Sequence, residues 1–264
     1  MTSTPGSTPV FDAGATAYDR DLVPAFFDDW ATRVTQLLGA PRGTVLDVGC
    51  GTGVLAPHLA AAGWQAIVGV DPSRGMLDRA AARHVPGARW VQGAADALPV
   101  PPGGAHALAC NFALMFMDDP AAAVRSMGRA VCAGGPVVVS TWGSLDDLPG
   151  MAAICTALEQ VGGAGASGLL RRAFSMGDPQ ALQAVADDAG LPDAQVVLHA
   201  VTARFPGVAA IADAYATSLG LDDPARAGEL THALVPALAP FTRDGQVEFP
   251  MPGLILTGTG TGET

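Results

Sequence analysis

The residues best suited to chemistry lie in one run, Val45-Leu46-Asp47-Val48-Gly49-Cys50-Gly51-Thr52-Gly53. An apolar strand ends in an acid, a glycine turn follows, and a helix begins. Glycines let the backbone take positive φ and approach a ligand closely. The helix start offers free N–H groups and the positive end of its dipole. In the dinucleotide fingerprint the third glycine falls at the sixth motif position, which here is Val54. No Gly-Lys-Ser/Thr follows, so the turn is not a phosphate-cradling P-loop. It suits a carboxylate and a nucleoside better than a pyrophosphate, and Asp47 at the same place suits an ammonium group.

A second acid, Asp71, closes the run Ile67-Val68-Gly69-Val70-Asp71, 18 residues past Gly53. A carboxylate there can accept both hydroxyls of a ribose. Taken alone, Asp71-Pro72-Ser73 reads equally well as a helix cap. Together, at the spacing of one βα unit, the two acids describe a site for an amino-acid end and an adenosine end. S-Adenosylmethionine has both.

Further candidates are scattered. Five histidines are possible bases: His58, His84, His106, His199 and His232. His106, at the opening of the fourth strand, is the candidate taken forward, against a structural role for each of the five. No pair of them has metal-ligand spacing, so no metal is expected. The cluster Phe112, Leu114, Met115, Phe116 and Met117 reads either as a substrate pocket or as core. Trp142 reads as a pocket wall or a buried anchor. Arg171-Arg172 reads as a solvated pair before a carboxylate grip. The Cys50 thiol reads as packing, with the backbone of its turn carrying the function.

Strands alternating with helices must position these groups. Thr44–Val48, Gln65–Val70, Ala88–Gln92, Ala107–Asn111 and Val137–Thr141 read as strands, with helices between them, which predicts a parallel sheet. Tyr18–Leu38 has helical spacing, and residues 1–14 read as frayed. Beyond Trp142 the rhythm weakens. Helices near 151–161, 179–189 and 207–240 and strands Ala194–Arg204 and Gln246–Thr257 complete the expectation.

The chain has 264 residues, no lysine and a formal charge of −11. Residues 1–145 hold 9 arginines against 11 acids, whereas residues 146–264 hold 5 against 14. Such a surface repels nucleic acid and anionic membranes and admits a small neutral or cationic molecule. Four widely spaced cysteines without a Cys-x-x-Cys read as reduced thiols. No signal peptide or spanning helix is evident, so the expected setting is cytoplasmic, with a small-molecule substrate and no membrane partner.

The chain resembles the class I S-adenosylmethionine-dependent methyltransferases, in particular their ubiquinone-biosynthesis-like branch of actinobacterial type. The resemblance rests on VLDVGCGTG at 45–53, VGVDPSRGML at 68–77, WVQGAADALPV at 90–100 and the stretch from Asn111 to Trp142. It implies an α/β, doubly wound, Rossmann-like seven-stranded sheet with the last strand antiparallel and helical lid elements. The division would be N-terminal lid helices over 1–40, a binding core over 41–145, and an acidic half over 146–264 that completes the sheet and lid. The resemblance places Asp47, Gly49, Cys50 and Gly51 at the methionine end and gives Asp71 the ribose hydroxyls. Pro72 and Met76 would cover apolar surface, and Ala95 and Asp96 would face the adenine. Asn111 would sit beside the sulfonium, Tyr18 would close over the cofactor, and Met115 and Trp142 would line the acceptor pocket. S-Adenosylhomocysteine would be the product.

Two departures stand out. Gly93-Ala94-Ala95 replaces the family's Gly-Asp-Ala, so adenine recognition falls to Asp96 and the backbone. Ala105-His106 replaces Phe-Asp. The implied activity is methyl transfer to a small molecule, in secondary metabolism, with positioning as the main catalytic device. The same scaffold also serves cyclisation and decarboxylation, and a nicotinamide-dependent oxidoreductase is the more distant alternative.

Overall fold

Apolar strands that alternate with amphipathic helices bury both faces of a sheet, and the computed structural model, which describes residues 8–218 and 224–262, has that arrangement. Its strands are β1 (Thr44–Val48), β2 (Ala66–Asp71), β3 (Ala88–Gln92), β4 (Ala107–Asn111), β5 (Pro136–Trp142), β6 (Gln195–Phe205), β7 (Thr242–Arg243) and β8 (Gln246–Thr259). The order is β3-β2-β1-β4-β5-β8-β6, with β7 paired to β8. Strands β1 to β5 are parallel, while β8 runs antiparallel to both β5 and β6. The seven-stranded expectation describes the main path. The two-residue β7 adds an eighth strand through a hairpin whose loop, Asp244-Gly245, has positive φ at both positions. That Asp-Gly pair is the sequence signal for the hairpin.

Register sorts the core. Val45, Ile67 and Ala107 pair across β2, β1 and β4 and face one layer, and Leu46, Val68 and Leu108 face the other. Helices cover each face: α1 (Thr8–Ala17), α2 (Asp28–Leu37), α3 (Leu55–Ala61), α4 (Arg74–Ala81), α5 (Pro120–Ala130), α6 (Pro149–Gly162), α7 (Gly168–Ala173), α8 (Pro179–Ala189), α9 (Val208–Ser218) and α10 (Pro224–Ala237). The fully buried Trp30 of α2 packs edge-on against Phe112 and Trp142.

The N-terminal segment differs from expectation. Helix α1 begins at Thr8, inside the stretch expected to fray, and residues 1–7 lie outside the described residues. Between α1 and α2 runs a π-helical stretch, Tyr18–Phe27, containing Pro24. Proline lacks an N–H and its ring clashes with the carbonyl four residues back, so α bonding is interrupted there. Tertiary bonds hold the segment. Asp12 Oδ1 accepts from Ser73 Oγ at 2.5 Å and from the Gly75 N–H at 2.9 Å. Asp19 accepts from Thr52 Oγ1 at 2.8 Å and pairs with Arg79 and Arg83. These partners lie in the turn before α3, at the start of α4, on it and just past its end, so α1 and the π-helical stretch are tied down over the carboxyl ends of the strands. Helix α9 also packs on α1, and α10 packs on both α6 and α9.

No described helix is long and apolar enough to cross a membrane. Among the described residues, no cluster of His, Cys, Asp or Glu is placed to hold a metal ion.

Candidate active site

Strand order reverses between β1 and its two neighbours, so a crevice opens beyond the carboxyl ends of β1, β2 and β4. A cavity of about 700 Å³ lies there, roofed by α1 and the π-helical stretch. Of the residues singled out from sequence, Tyr18, Gly49, Gly51, Asp71, Pro72, Met76, Ala95, Asp96, Asn111 and Trp142 all line it.

Local chemistry explains the glycine turn. Gly49, Gly51 and Gly53 all have positive φ, at 70°, 52° and 75°. A Cβ on Gly49 would lie 2.2 Å from the Ala113 Cβ, whereas a Cβ on Gly51 would meet nothing within 4 Å. The first glycine is thus required by packing, and the second leaves open space on the cavity side. Asp71 organises the same turn. Its Oδ2 accepts from the Gly51 N–H and its Oδ1 from the Ser73 N–H, both at 2.9 Å. Ser73 then caps α4 by accepting from the Met76 N–H at 3.1 Å. Burial pushes the Asp71 carboxyl up, and the two backbone N–H bonds hold it down. The helix cap is thus Ser73, and Asp71 supports the turn that leads into it. The side chain builds the turn and still lines the cavity.

The far wall is aromatic. Phe112 stacks on Trp142 with centroids 3.7 Å apart and planes at 15°. Phe26, Phe27 and Phe174 surround Trp142. Phe112 has a φ of 55°, a left-handed conformation that costs a bulky residue on the order of 1–2 kcal/mol. Its ring stacking and burial offset that cost. Beside it, Asn111 Oδ1 accepts a short hydrogen bond from Ser140 Oγ, which orients the amide at the end of β4. Among the described lining residues there is no arginine, lysine or histidine, and the ionisable ones are acids and two tyrosines.

Four sequence candidates do not reach the cavity. His106 stands at the wrong end of its strand. It precedes β4, it is exposed, and its Nδ1 accepts from the Thr44 N–H at 3.2 Å. Five residues at about 3.3 Å each separate it from Asn111, so it is about 16 Å from the reacting edge. It is corrected to a structural histidine that fills the space beneath Gly43. Met115 is 4 % exposed and belongs to the core, while its neighbours Phe116 and Met117 line the cavity instead. The Cys50 side chain turns toward Gly69, and burial pushes its thiol well up. Asp47 is 1 % exposed behind the turn, with Oδ2 lacking a hydrogen-bond partner. Burial first, and Asp71 second, push its carboxyl up to about 7.

The arginine pair is absorbed structurally. Arg171 pairs with Glu159, and Arg172 donates to the carbonyls of Met115 and Phe116 at 3.2 and 3.0 Å. Sequence reasoning missed Phe11, Phe26, Met151, Phe174, Tyr215 and Met251, all of which line the cavity. Helical spacing marked Phe26 as apolar but not as cavity-facing. The others come from distant segments without a motif.

A methyltransferase domain model matches residues 45–135, the span from β1 to the turn before β5. The demethylmenaquinone methyltransferase of Mycolicibacterium paratuberculosis is 32% identical over 209 residues, 77% of this chain and 80% of that protein. Among solved structures, a Haemonchus contortus phosphoethanolamine N-methyltransferase complexed with S-adenosylhomocysteine superposes with a TM-score of 0.62 and 16% identity, covering 94% of this chain and 57% of that one. The cyclase SpnF superposes with a TM-score of 0.55 and 18% identity, covering 88% and 80%. Both likenesses are of fold. The long match to the mycobacterial enzyme, together with a glycine turn and Asp71 lining one cavity, makes the chain a member of the class I S-adenosylmethionine-dependent methyltransferases, in their ubiquinone-biosynthesis-like branch.

Proposed function

We propose that this enzyme methylates a small, neutral, apolar acceptor carrying a flat ring. The observation that carries this reading is the aromatic wall: Phe112 stacked on Trp142, with no basic side chain among the described lining residues. Such a wall favours a planar hydrocarbon face, and an anionic acceptor would find no partner there. The name of the mycobacterial relative, a demethylmenaquinone methyltransferase, points to an acceptor that also carries a flat ring.

S-Adenosylmethionine, when bound, would supply a sulfonium-activated methyl group, transferred to the acceptor nucleophile with S-adenosylhomocysteine as the leaving thioether. The residues present fit it. Open space at Gly51 admits close approach, an unpartnered Asp47 oxygen lies behind the turn, and the cavity's ionised groups are acids that suit a cation. In our reading Gly49 and Gly51 hold the methionine end, with the Asp47 charge acting from behind the turn. Asp71 takes the ribose hydroxyls, and Pro72 and Met76 cover the ribose and base. Ala95 and Asp96 border the adenine, Asn111 orients the reacting end, and Tyr18 closes the roof. Residues 1–40 act as a lid, 41–145 as the binding core that also carries Phe112 and Trp142, and 146–264 complete the sheet and supply further lid helices on the acceptor side. With no histidine among the described lining residues, positioning and water exclusion carry the catalysis, and the proton that a hydroxyl acceptor loses on methylation passes to a lining carboxylate or out to solvent. The net charge of −11 and the four free cysteines support a cytoplasmic setting without a nucleic-acid partner.

The test is an acceptor screen with S-adenosylmethionine, read by product mass. Neutral naphthols and quinols are expected to gain one methylene unit. Turnover of only carboxylate-bearing or thioester acceptors overturns the reading. Gly51→Ala separates site from fold. Its Cβ meets no protein atom, so only the φ strain of about 1 kcal/mol bears on stability. Its methyl group projects into the ligand's approach. S-Adenosylhomocysteine affinity is expected to fall roughly tenfold, with Tm lowered by only a few degrees. Unchanged affinity would sink this placement of the methionine end.

A further inference from the structure

The chain has two tyrosines, Tyr18 and Tyr215, and both line the cavity. They arrive from opposite ends of the sequence. Tyr18 sits in the π-helical stretch and touches Phe27, with ring centroids 5.2 Å apart. Tyr215 sits on α9 and is 3 % exposed. Its hydroxyl has one partner among the described residues, the Met151 Sδ at 3.6 Å. A thioether is a weak acceptor, so the hydroxyl's donor capacity is nearly unused. Burying a hydroxyl without a full partner is costly, which makes its retention beside a ligand cavity informative.

Its placement is specific. The Tyr18 hydroxyl is an electrostatic neighbour of both Asp71 and Tyr215. Tyr18 is thus a neighbour of both Asp71 and Tyr215, and Tyr215 reaches the cavity from α9 beside Met151 of α6. The surroundings there are apolar or aromatic, with Met151, Phe26 and Phe174 among the lining residues. Burial pushes the Tyr215 phenol up, so it stays protonated across the neutral range and serves as a donor, not a base.

Resting on the flat-ring reading above, we propose that Tyr215 is a specificity-determining residue whose hydroxyl donates to a ring oxygen on the acceptor. The acceptor class thereby narrows to oxygenated rings, such as naphthols, quinols or aryl ketones. The bond is made to an oxygen that the wall of Phe112 and Trp142 leaves facing α9. Met151 holds the hydroxyl until that oxygen replaces it. Recognition by a buried donor discriminates strongly, because an analogue lacking the oxygen leaves the donor unsatisfied.

The test uses two probes of nearly equal shape, 1-naphthol and 1-methylnaphthalene. Each is titrated calorimetrically into the full chain saturated with S-adenosylhomocysteine. Wild type is expected to bind 1-naphthol about tenfold more tightly than 1-methylnaphthalene. Tyr215→Phe removes one oxygen atom and no ring. It is expected to lose about tenfold for 1-naphthol and to bind 1-methylnaphthalene as before, which erases the preference. An unchanged S-adenosylhomocysteine Kd in the variant establishes that it is folded. Equal losses for both probes assign Tyr215 a packing role and overturn the proposal, as does an undiminished preference in the variant. If neither probe binds wild type, the flat-ring reading fails and the oxygen anchor falls with it.

Discussion

Asp71→Ala is expected to weaken S-adenosylhomocysteine binding by about a hundredfold or more in isothermal titration calorimetry. The side chain has two tasks that no other group shares. Its oxygens accept from the Gly51 and Ser73 N–H groups at 2.9 Å, which joins the glycine turn to the start of α4. It also lines the cavity, where our assignment gives it the ribose hydroxyls. Hydrogen bonds to a charged acceptor contribute about 1.5–3 kcal/mol each, so losing two from the ribose gives about a hundredfold or more. Asp71→Asn keeps one acceptor oxygen and should recover part of the loss. NAD is expected not to bind, because Val54 holds the position of the third dinucleotide glycine. An affinity for S-adenosylhomocysteine that survives in Asp71→Ala would remove the ribose assignment.

Asp47→Asn is expected to do two opposite things: raise stability above neutral pH and weaken the cofactor complex. Burial, with Asp71 adding to it, pushes the Asp47 carboxyl up to about 7. In the unfolded chain an aspartate titrates near pH 3.9. Between about pH 4 and pH 7 the folded protein thus holds a proton that the unfolded chain has released. Stability contributed by this group is full below that window and falls as pH rises through it. Above pH 7 an unpartnered carboxylate stays buried. A neutral amide left in the same place costs less. At pH 8 the variant's Tm is expected about 5 °C above wild type, with the difference vanishing near pH 4. The same charge attracts the ammonium and sulfonium of the cofactor, so wild-type affinity for S-adenosylmethionine should rise with pH through 7. In the variant that rise should flatten, and affinity at pH 8 should be about tenfold weaker. A variant that is less stable than wild type at pH 8 and binds as tightly would refute this account.

Much of the cofactor half was legible in the linear chain because its chemistry is local. A strand, a glycine turn and a helix start are consecutive residues, so Gly49, Gly51 and Asp71 could be named from spacing. Asp71 is instructive, since the acid named from spacing accepts from the Gly51 and Ser73 N–H groups while Ser73 itself caps α4, a division of roles that spacing alone does not show. His106 shows the limit of proximity in sequence. It lies five residues from Asn111, yet a strand carries those residues to opposite edges of the sheet. Met115 shows the limit of composition. The apolar cluster 112–117 was visible, but which members face the cavity depends on a turn with Phe112 at positive φ and on Arg172 holding the following carbonyls.

From the linear chain alone came the alternation that builds a parallel sheet, the turn that admits an adenosyl amino acid, and the resemblance that named the chemistry. Periodicity and glycine placement are short-range properties, and a backbone obeys them wherever it lies. The acceptor wall was decided only in three dimensions. Phe26, Met151, Tyr215 and Met251 come from the π-helical stretch, α6, α9 and β8, and only packing brings them to the cavity beside Trp142, which the sequence had already offered. Their spacing carries no repeat because contact across a fold obeys shape and burial, which no interval along the chain encodes.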